Sequence, residues 1–394
     1  MVWPKVRLDQ VARVVSGGTP KTSVPEYWDG DVEWFTPKDL ASYDQITIGS
    51  SSRKISQRGL AESSAVLLPA GAVIMSSRAP IGYSAVLEGS AATNQGFKNI
   101  IPGERLHAKY LAWWIRAHAS ALQEMGTGAT FKELSATRVK EIEISLPPLE
   151  EQRRIARVLD NAARSIRISE LVESFLDDYV RSHFSHLISN EEVEWCSLGE
   201  LCDIRSGGTL SRKDQSYWDG EISWFSPKDF KRRNLHDSLE KVTPKAIQES
   251  GLKVIDGEFV AIVVRGMILA HSTPVSVIRG PATINQDVKV LELRRVNISA
   301  GYLQLALEHQ HSVLMSKVAT SAHGTKRLPT QDLENIEVPL LSEFYMHQID
   351  VTLDCLRRTE SLVKQRTERL KQLYKSLSQR AFAGELLSLI HISE

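Results

Sequence analysis

The side chains best suited to chemistry in this chain are hydrogen-bond donors and acceptors, not acids, bases or nucleophiles. Asn94, Gln95 and Lys98 lie in one short stretch, and Asn285, Gln286 and Lys289 lie in a second stretch of the same pattern. Reading base edges in a DNA groove requires Arg or Lys for guanine and Asn or Gln for adenine, with further cations on phosphate to fix the register. Arg78 and Arg265 close the apolar runs 72–77 and 260–264 in loose correspondence, and Lys38 and Lys228 sit in matching Pro-Lys-Asp turns as candidate phosphate contacts. Residues shared by both stretches serve equally well to maintain a fold. Base readers are therefore also expected where the copies differ: Lys21, Arg53 and Lys54 in the first half, and Arg212, Lys213, Lys231, Arg232 and Arg233 in the second.

Other chemistry finds little support. There is no G-x-x-x-x-G-K-[ST] phosphate loop, Gly324-Thr325-Lys326 being too short, and no Asn/Asp-Pro-Pro-Tyr/Phe loop of an adenine methyltransferase. The carboxylates of Tyr27-Trp28-Asp29-Gly30-Asp31 and Tyr217-Trp218-Asp219-Gly220-Glu221 could be drawn as a metal pair, but Asp-Gly supplies turn geometry and the turn is preferred. His183 and His186 lie about one helical turn apart without the carboxylate spacing of a zinc site. Cys196, Cys202 and Cys355 are odd in number and unpaired in spacing, which suits ordinary packing residues. No catalytic residue, no metal site and no bound cofactor is expected.

The elements that position these groups occur twice. Residues 16–40, SGGTPKTSVPEYWDGDVEWFTPKDL, return at 206–230 as SGGTLSRKDQSYWDGEISWFSPKDF, and the correspondence continues through Leu159-Asp160 and Leu353-Asp354 with an offset drifting from 190 to 194. A unit this long is a duplicated domain and not a solenoid repeat. A duplicated domain suits a partner with two related sites, of which double-stranded DNA is the commonest. The formal net charge of zero argues mildly against nucleic acid, but binding depends on where charge sits. With 394 residues, 42% of them hydrophobic, the chain can bury two cores, and no apolar run approaches the length of a membrane span. A cytoplasmic protein without membrane contact is expected.

Each half reads as short strands between turn residues, then a helix, then a much longer helix. In the first, Ile155, Leu159, Ala162, Ile166, Ser169, Leu176 and Val180 recur at spacings of three and four, the seam of a coiled coil, once polar Glu173 is allowed. In the second, Ile349, Leu353, Leu356, Val363, Leu370, Tyr374 and Leu377 keep one heptad register interrupted by Glu360 and Thr367. The two stripes bury most simply against each other, antiparallel. The fold class expected is α+β: two similar mixed α/β domains separated by two long helices that form an antiparallel coiled coil with pseudo-two-fold symmetry. The boundaries expected are a first domain at 1–148, a central helix at 149–189, a second domain at 190–341 and a C-terminal helix at 342–386. A helix of roughly 36 residues spans about 54 Å, enough for such a pair to hold two readers about one DNA turn apart.

The twin SGGT…YWDG…PKD blocks, the Leu-Pro-Pro-Leu-Glu-Glu-Gln entry to the first long helix (146–152) and the closing Gln-Arg-Ala-Phe-Ala-Gly-Glu-Leu (379–386) together resemble the specificity subunit of type I restriction-modification systems. The resemblance implies a non-catalytic subunit whose two target-recognition domains each read one half of a bipartite, asymmetric target. It implies two methyltransferase subunits on the helices and restriction-translocase subunits beyond them, with S-adenosylmethionine, ATP and Mg on those partners. At the second helix entrance Ser342-Glu343-Phe344-Tyr345-Met346 departs from the pattern of the first, so the two entrances need not be equivalent partner sites. The other classes open to the sequence are a scaffold with paired protein-binding domains and a self-contained DNA-modifying enzyme with unfamiliar motifs. Residues 387–394, LSLIHISE, resemble a translated sequencing-library adapter and are expected to be non-native.

Overall fold

Short antiparallel ladders close each globular domain at its chain ends. Lys5–Arg7 pairs with Glu143–Ser145, and Glu194–Ser197 pairs with Glu337–Leu340. The computed structural model describes residues 3–385 apart from 42, 129–131, 296 and 322–323, and gives no side-chain description of Glu173. The eight residues from 387 onward lie outside the described residues. Two compact units result, one formed by the chain up to Leu171 and again from Lys364, the other by Val172–Val363.

In the first unit a five-stranded sheet runs in the order Ala12–Ser16, Phe97–Pro102, Val73–Ser76, Ser84–Leu87, Thr47–Ile48, antiparallel except for the last, parallel pair. A three-stranded sheet places Trp28–Phe35 between Lys54–Ile55 and Ala91–Thr93. The second unit repeats this strand for strand: Cys202–Ser206, Val288–Leu293, Glu258–Val263, Val275–Arg279 and Asn234–Leu235 in the larger sheet, and Glu240–Val242, Trp218–Phe225 and Ala282–Ile284 in the smaller.

The central strands read as unbroken apolar runs because both faces of the larger sheet are covered. Val73, Met75 and Ile100 join one core with the helix Ala108–Ala117, while Ile74 and Phe97 join another on the opposite face. In the second unit Val260 and Ile262 face the helix Ala300–His309, and Phe259 and Ala261 face away. Tyr110 and Tyr302 are fully buried on these helices, and their hydroxyls donate to Ser145 O at 2.6 Å and Pro339 O at 3.0 Å.

Two helices dominate the rest, Leu149–Asn190 and Glu343–Ala383. The first begins directly after Pro147 and Pro148, with Glu150 and Glu151 in its opening turn, where carboxylates oppose the helix dipole favourably. Gln152 is 0% exposed: its Oε1 accepts from His107 N–H at 2.8 Å, and its Nε2 donates to Arg105 O at 2.9 Å and Pro147 O at 2.8 Å. At the matching place in the second helix stands Met346, buried and apolar. The two entrances are thus built differently.

Within the first unit the helices run antiparallel. Ile155 and Leu159 share a core with Ala381 and Phe382, Lys371 pairs with Glu170 at 2.9 Å, and Thr367 Oγ1 donates to Ser169 Oγ at 2.7 Å in a buried contact. Thr367, an interruption by pattern, is thereby the partner of a polar layer. Ala162, Ile166, Leu370, Tyr374 and Leu377 are half-buried along the same stretch. Within the second unit the order is again antiparallel, Tyr345 near the start of one helix donating to Glu191 just past the end of the other. There Val180, Ile349 and Leu353 are buried and Leu176, Leu356 and Val363 half-buried. The stripes also dock on the domains, Phe382 against Tyr110 and Phe184 against Tyr302, both at 5.5 Å between ring centroids. Cys196 and Cys202 are buried, but Cys355 is exposed, so packing accounts for only two of the three cysteines. Among the described residues no helix is long and apolar enough to cross a membrane.

Candidate nucleic-acid interface

The Ser-Gly-Gly loops show why both copies keep their glycines. In the first unit Gly17 N–H donates to Phe97 O and Gly18 N–H to Thr93 O, and a Cβ on Gly17 would overlap the Asn94 carbonyl. In the second, Gly208 N–H donates to Ile284 O, and a Cβ on Gly207 would overlap the same segment. The indole N–H of Trp34 donates to Gly18 O at 3.0 Å, and that of Trp224 to Gly208 O at 3.3 Å. These contacts bring the loop, the Asn-Gln turn and a tryptophan pair to one place in each unit.

The asparagines build the turn and do not project from it. Asn94 Oδ1 accepts from Gly96 N–H at 2.9 Å, Asn285 Oδ1 accepts from Asp287 N–H at 3.0 Å, and Asn285 is buried. Both are turn residues in the Asx manner. Gln95 and Gln286 at the tips are exposed, Gln95 Oε1 accepting from the Thr19 hydroxyl. The Pro-Lys-Asp turns divide their labour similarly. Asp39 accepts from Thr36 N–H at 2.6 Å and Ser52 N–H at 2.9 Å, and Asp229 from Ser226 N–H at 2.8 Å and Leu239 N–H at 2.7 Å. Burial pushes the Asp39 carboxyl up, but hydrogen bonds from Ser52 and Thr36 more than offset it, leaving the group below the usual range. Lys38 and Lys228 are exposed beside these turns and make no ion pair among the described residues. Asp29 and Asp219 take left-handed φ values of 56° and 58° at a bulge in each strand, a conformation Asp tolerates.

The copies diverge in charge. Edge-to-face pairs Trp28–Trp34 and Trp218–Trp224 stand at 5.1 and 5.4 Å, and a guanidinium covers the outer ring of each: Arg53 over Trp28 at 3.9 Å, Arg212 over Trp218 at 4.0 Å. The two arginines come from different positions. Ser51 accepts from Trp34 N–H and donates to Arg53 O, and Ser238 accepts from Trp224 N–H and donates to Glu240 O, which places Glu240 where Arg53 stands. Glu240 holds Arg212 in a bidentate pair, with Nη2 to Oε2 at 2.7 Å. Arg53 makes no ion pair among the described residues and presents its donors to solvent. Its neighbour Lys54 is spent on Glu33 at 2.7 Å.

Four further candidate readers are held by carboxylates. Lys98 is 6% exposed, its ammonium 3.4 Å from Glu133 Oε1 and 3.4 Å from Ser77 Oγ, because its strand is covered on both faces. Arg78, exposed, binds the same Glu133 at 3.1 Å. Arg233 is inside the second unit, paired with Glu308 at 3.0 Å and Asp177 at 3.4 Å, and ties the domain to the long helix. Arg212 is locked by Glu240. Lys21, Lys213, Lys231 and Arg232 are exposed, Arg265 lies 3.6 Å from Asp287, and Lys289 donates to Ser206 Oγ at 2.6 Å. Replacing Arg233 with Ala is expected to destabilise the second unit by about 1–3 kcal/mol, less than a fully broken buried pair because Glu308 keeps Arg181. Arg232→Ala should lie within roughly 0.5 kcal/mol of wild type. Denaturant unfolding checks both, and an unchanged midpoint for Arg233→Ala would return this residue to the list of readers.

Sequence pattern passed over the carboxylates Glu133 and Glu240 and the cation Arg327, which occupies the place of Glu133. Setting the copies side by side and comparing charge at each matched position would have exposed all three. No group of three or more His, Cys, Asp or Glu side chains among the described residues could hold a metal ion.

The model of the type I restriction modification DNA specificity domain matches this chain twice, over residues 2–173 and 190–372. The specificity subunit of the type I restriction enzyme MjaIX of Methanocaldococcus jannaschii is 27% identical over 372 residues, covering 87% of this chain and 85% of that protein. Two solved structures share the fold at low identity. The S subunit of a type I restriction-modification system from M. genitalium matches with TM-score 0.57 and 13% identity over 96% of both chains. A chain from a study of complex assembly and conformational transition of the type I R-M system matches with TM-score 0.61 and 18% identity over 98% of both. With its duplicated domain matched in both halves, this chain belongs to the type I restriction-modification DNA specificity family.

Proposed function

We propose that this subunit reads a bipartite, asymmetric DNA target, one half-site per domain, and directs adenine methylation and cleavage by partner subunits without chemistry of its own. The observation that carries this reading is that two equivalent loop clusters present different charges: Arg53 against Glu240, and Glu133 against Arg327. Equal scaffolds with unequal surface groups are what two readers of unlike half-sites require. The direct readers in this proposal are Gln95, Arg53 and Lys21 in the first domain, and Gln286, Lys213, Lys231 and Arg232 in the second, with Lys38 and Lys228 on phosphate. Two methyltransferase subunits would bring S-adenosylmethionine to the helices, and restriction-translocase subunits would bring ATP and Mg, all in the cytoplasm.

Single-molecule methylation sequencing of the host genome is the test. It should return one motif with two short specified blocks and a fixed gap; a continuous motif, or none attributable to this subunit, would overturn the reading. We assign the gap to the two long helices. Removing one heptad from each shortens them by about 10 Å, equivalent to roughly three base pairs. The methylated gap should contract accordingly, while an unchanged gap would mean that something else sets it.

A further inference from the structure

The second unit contains a cluster of three cations in which an arginine stands where the first unit has its neutralising carboxylate. The backbones of Arg78 and Glu133 form an isolated bridge, as do those of Arg265 and Arg327, and Lys98 and Lys289 sit opposite Ser16 and Ser206 in matching registers. The two trios are therefore equivalent in position. In the first unit they form a closed set, Glu133 accepting from Arg78 at 3.1 Å and lying 3.4 Å from the Lys98 ammonium. In the second unit Arg327 replaces the carboxylate. Three cations then surround a cleft of about 150 Å³ that Ser206, Gln286 and Thr330 also line.

The carboxylates nearby do not close it. Asp287, where the first unit has Gly96, pairs with Arg265 at 3.6 Å, too far for a hydrogen bond, so one carboxylate is set against three cations. Glu334 acts on Lys289 only at longer range. Lys289 is held below its ordinary value first by burial and then by Arg327, and its one close partner is the neutral Ser206 hydroxyl. Arg327 is exposed and makes no ion pair among the described residues. A half-buried ammonium beside two guanidiniums is an unfavourable arrangement that an anion in the cleft would relieve. Arginine forks and a lysine are the groups that hold a tetrahedral oxyanion, and the volume admits one with a few waters.

We propose that Arg265, Lys289 and Arg327 form a binding pocket for a DNA backbone phosphate in the second domain, and that Glu133 abolishes this pocket in the first. The inference rests on the DNA-reading function above and adds an asymmetry to it: the second domain anchors to the backbone at this point, whereas the first does not. Arg265 then acts as a phosphate ligand and not as a base reader.

The test is Arg327→Glu, which puts a carboxylate where the first domain has Glu133, with Arg327→Gln as a charge-neutral control. The assembled methyltransferase complex is titrated with duplex carrying its methylated motif, and with a scrambled duplex, between 50 and 200 mM salt. Both variants should bind both duplexes about three- to tenfold more weakly at the lower salt, with a log affinity against log salt slope shallower by about one. The methylated motif and the thermal midpoint should not move. Equal affinity and slope to wild type would overturn the pocket; so would a loss confined to the motif duplex, which would make Arg327 a base reader. Inorganic phosphate provides the remaining arm: raising the thermal midpoint of wild type but not of Arg327→Gln, with DNA affinity unaffected by the substitution, would assign the pocket to a free anion and overturn the backbone contact. Failure of wild type to prefer its motif would instead sink the underlying function.

Discussion

Grafting the second unit of a relative with a different target into this chain is expected to replace one half of the methylated motif and leave the other half and its modified adenine unchanged. The structure dictates where to cut. Glu194–Ser197 pairs antiparallel with Glu337–Leu340, so the chain enters and leaves the globular domain on adjacent strands, about 4.8 Å apart. A graft of residues 190–341 therefore carries a closed module. It also severs internal ties, among them Phe184 packed on Tyr302, Asp177 paired with Arg233 and Arg181 paired with Glu308 across the cut. The larger graft, residues 172–363, keeps both sides of those contacts. Both grafts should give the same new half-motif, with the smaller one less stable. Each wrong base pair costs about 1–3 kcal/mol, so three specified pairs discriminate by several kcal/mol and the old half-motif should vanish from the methylome. A change in both halves, or retention of the original motif, would show that the domains do not read independently.

How far such boundaries can be read from sequence depends on the range of the forces involved. The duplication is legible because local geometry fixes it. Gly17 and Gly207 admit no Cβ, Asp29 and Asp219 tolerate a left-handed backbone, and the tryptophan pairs demand each other. The helix seam is legible because burial recurs every three or four residues, and Ile155, Leu159, Ile349 and Leu353 are all deeply buried. Partnership between distant charges leaves no such trace. Lys98 looked available until Glu133, 35 residues away, was beside it, and Arg233 until Glu308, 75 residues away, was. Difference between the copies does not by itself separate an open cation such as Arg53 from one neutralised by a compensating carboxylate, as Arg212 is by Glu240.

The first helix entrance supports the other large prediction, in which Gln152→Leu destabilises the first unit by about 3–5 kcal/mol. One amide there satisfies three backbone groups in a site with no exposure: it accepts from His107 and donates to the carbonyls of Arg105 and Pro147. Leucine fills similar space but leaves a donor and two acceptors unpaired, each costing roughly 1–3 kcal/mol, partly offset by the gain in apolar burial. For a unit of this size the thermal midpoint should fall by about 10 °C. Gln152→Glu is the sharper control. Its shape is unchanged, but above the ordinary carboxylate range it sets a negative charge against two carbonyl oxygens. Such a carboxyl titrates higher folded than unfolded, so stability is lost as pH rises past about 4 and recovers below it, where the protonated acid can donate to one carbonyl. Differential scanning calorimetry of the full chain at pH 4 and pH 7 would show the Glu variant approaching wild type at the lower pH while the Leu variant does not. Identical pH dependence for the two variants would mean that the amide's donors are dispensable. The apolar Met346 of the second entrance would then show that this kind of packing suffices at both.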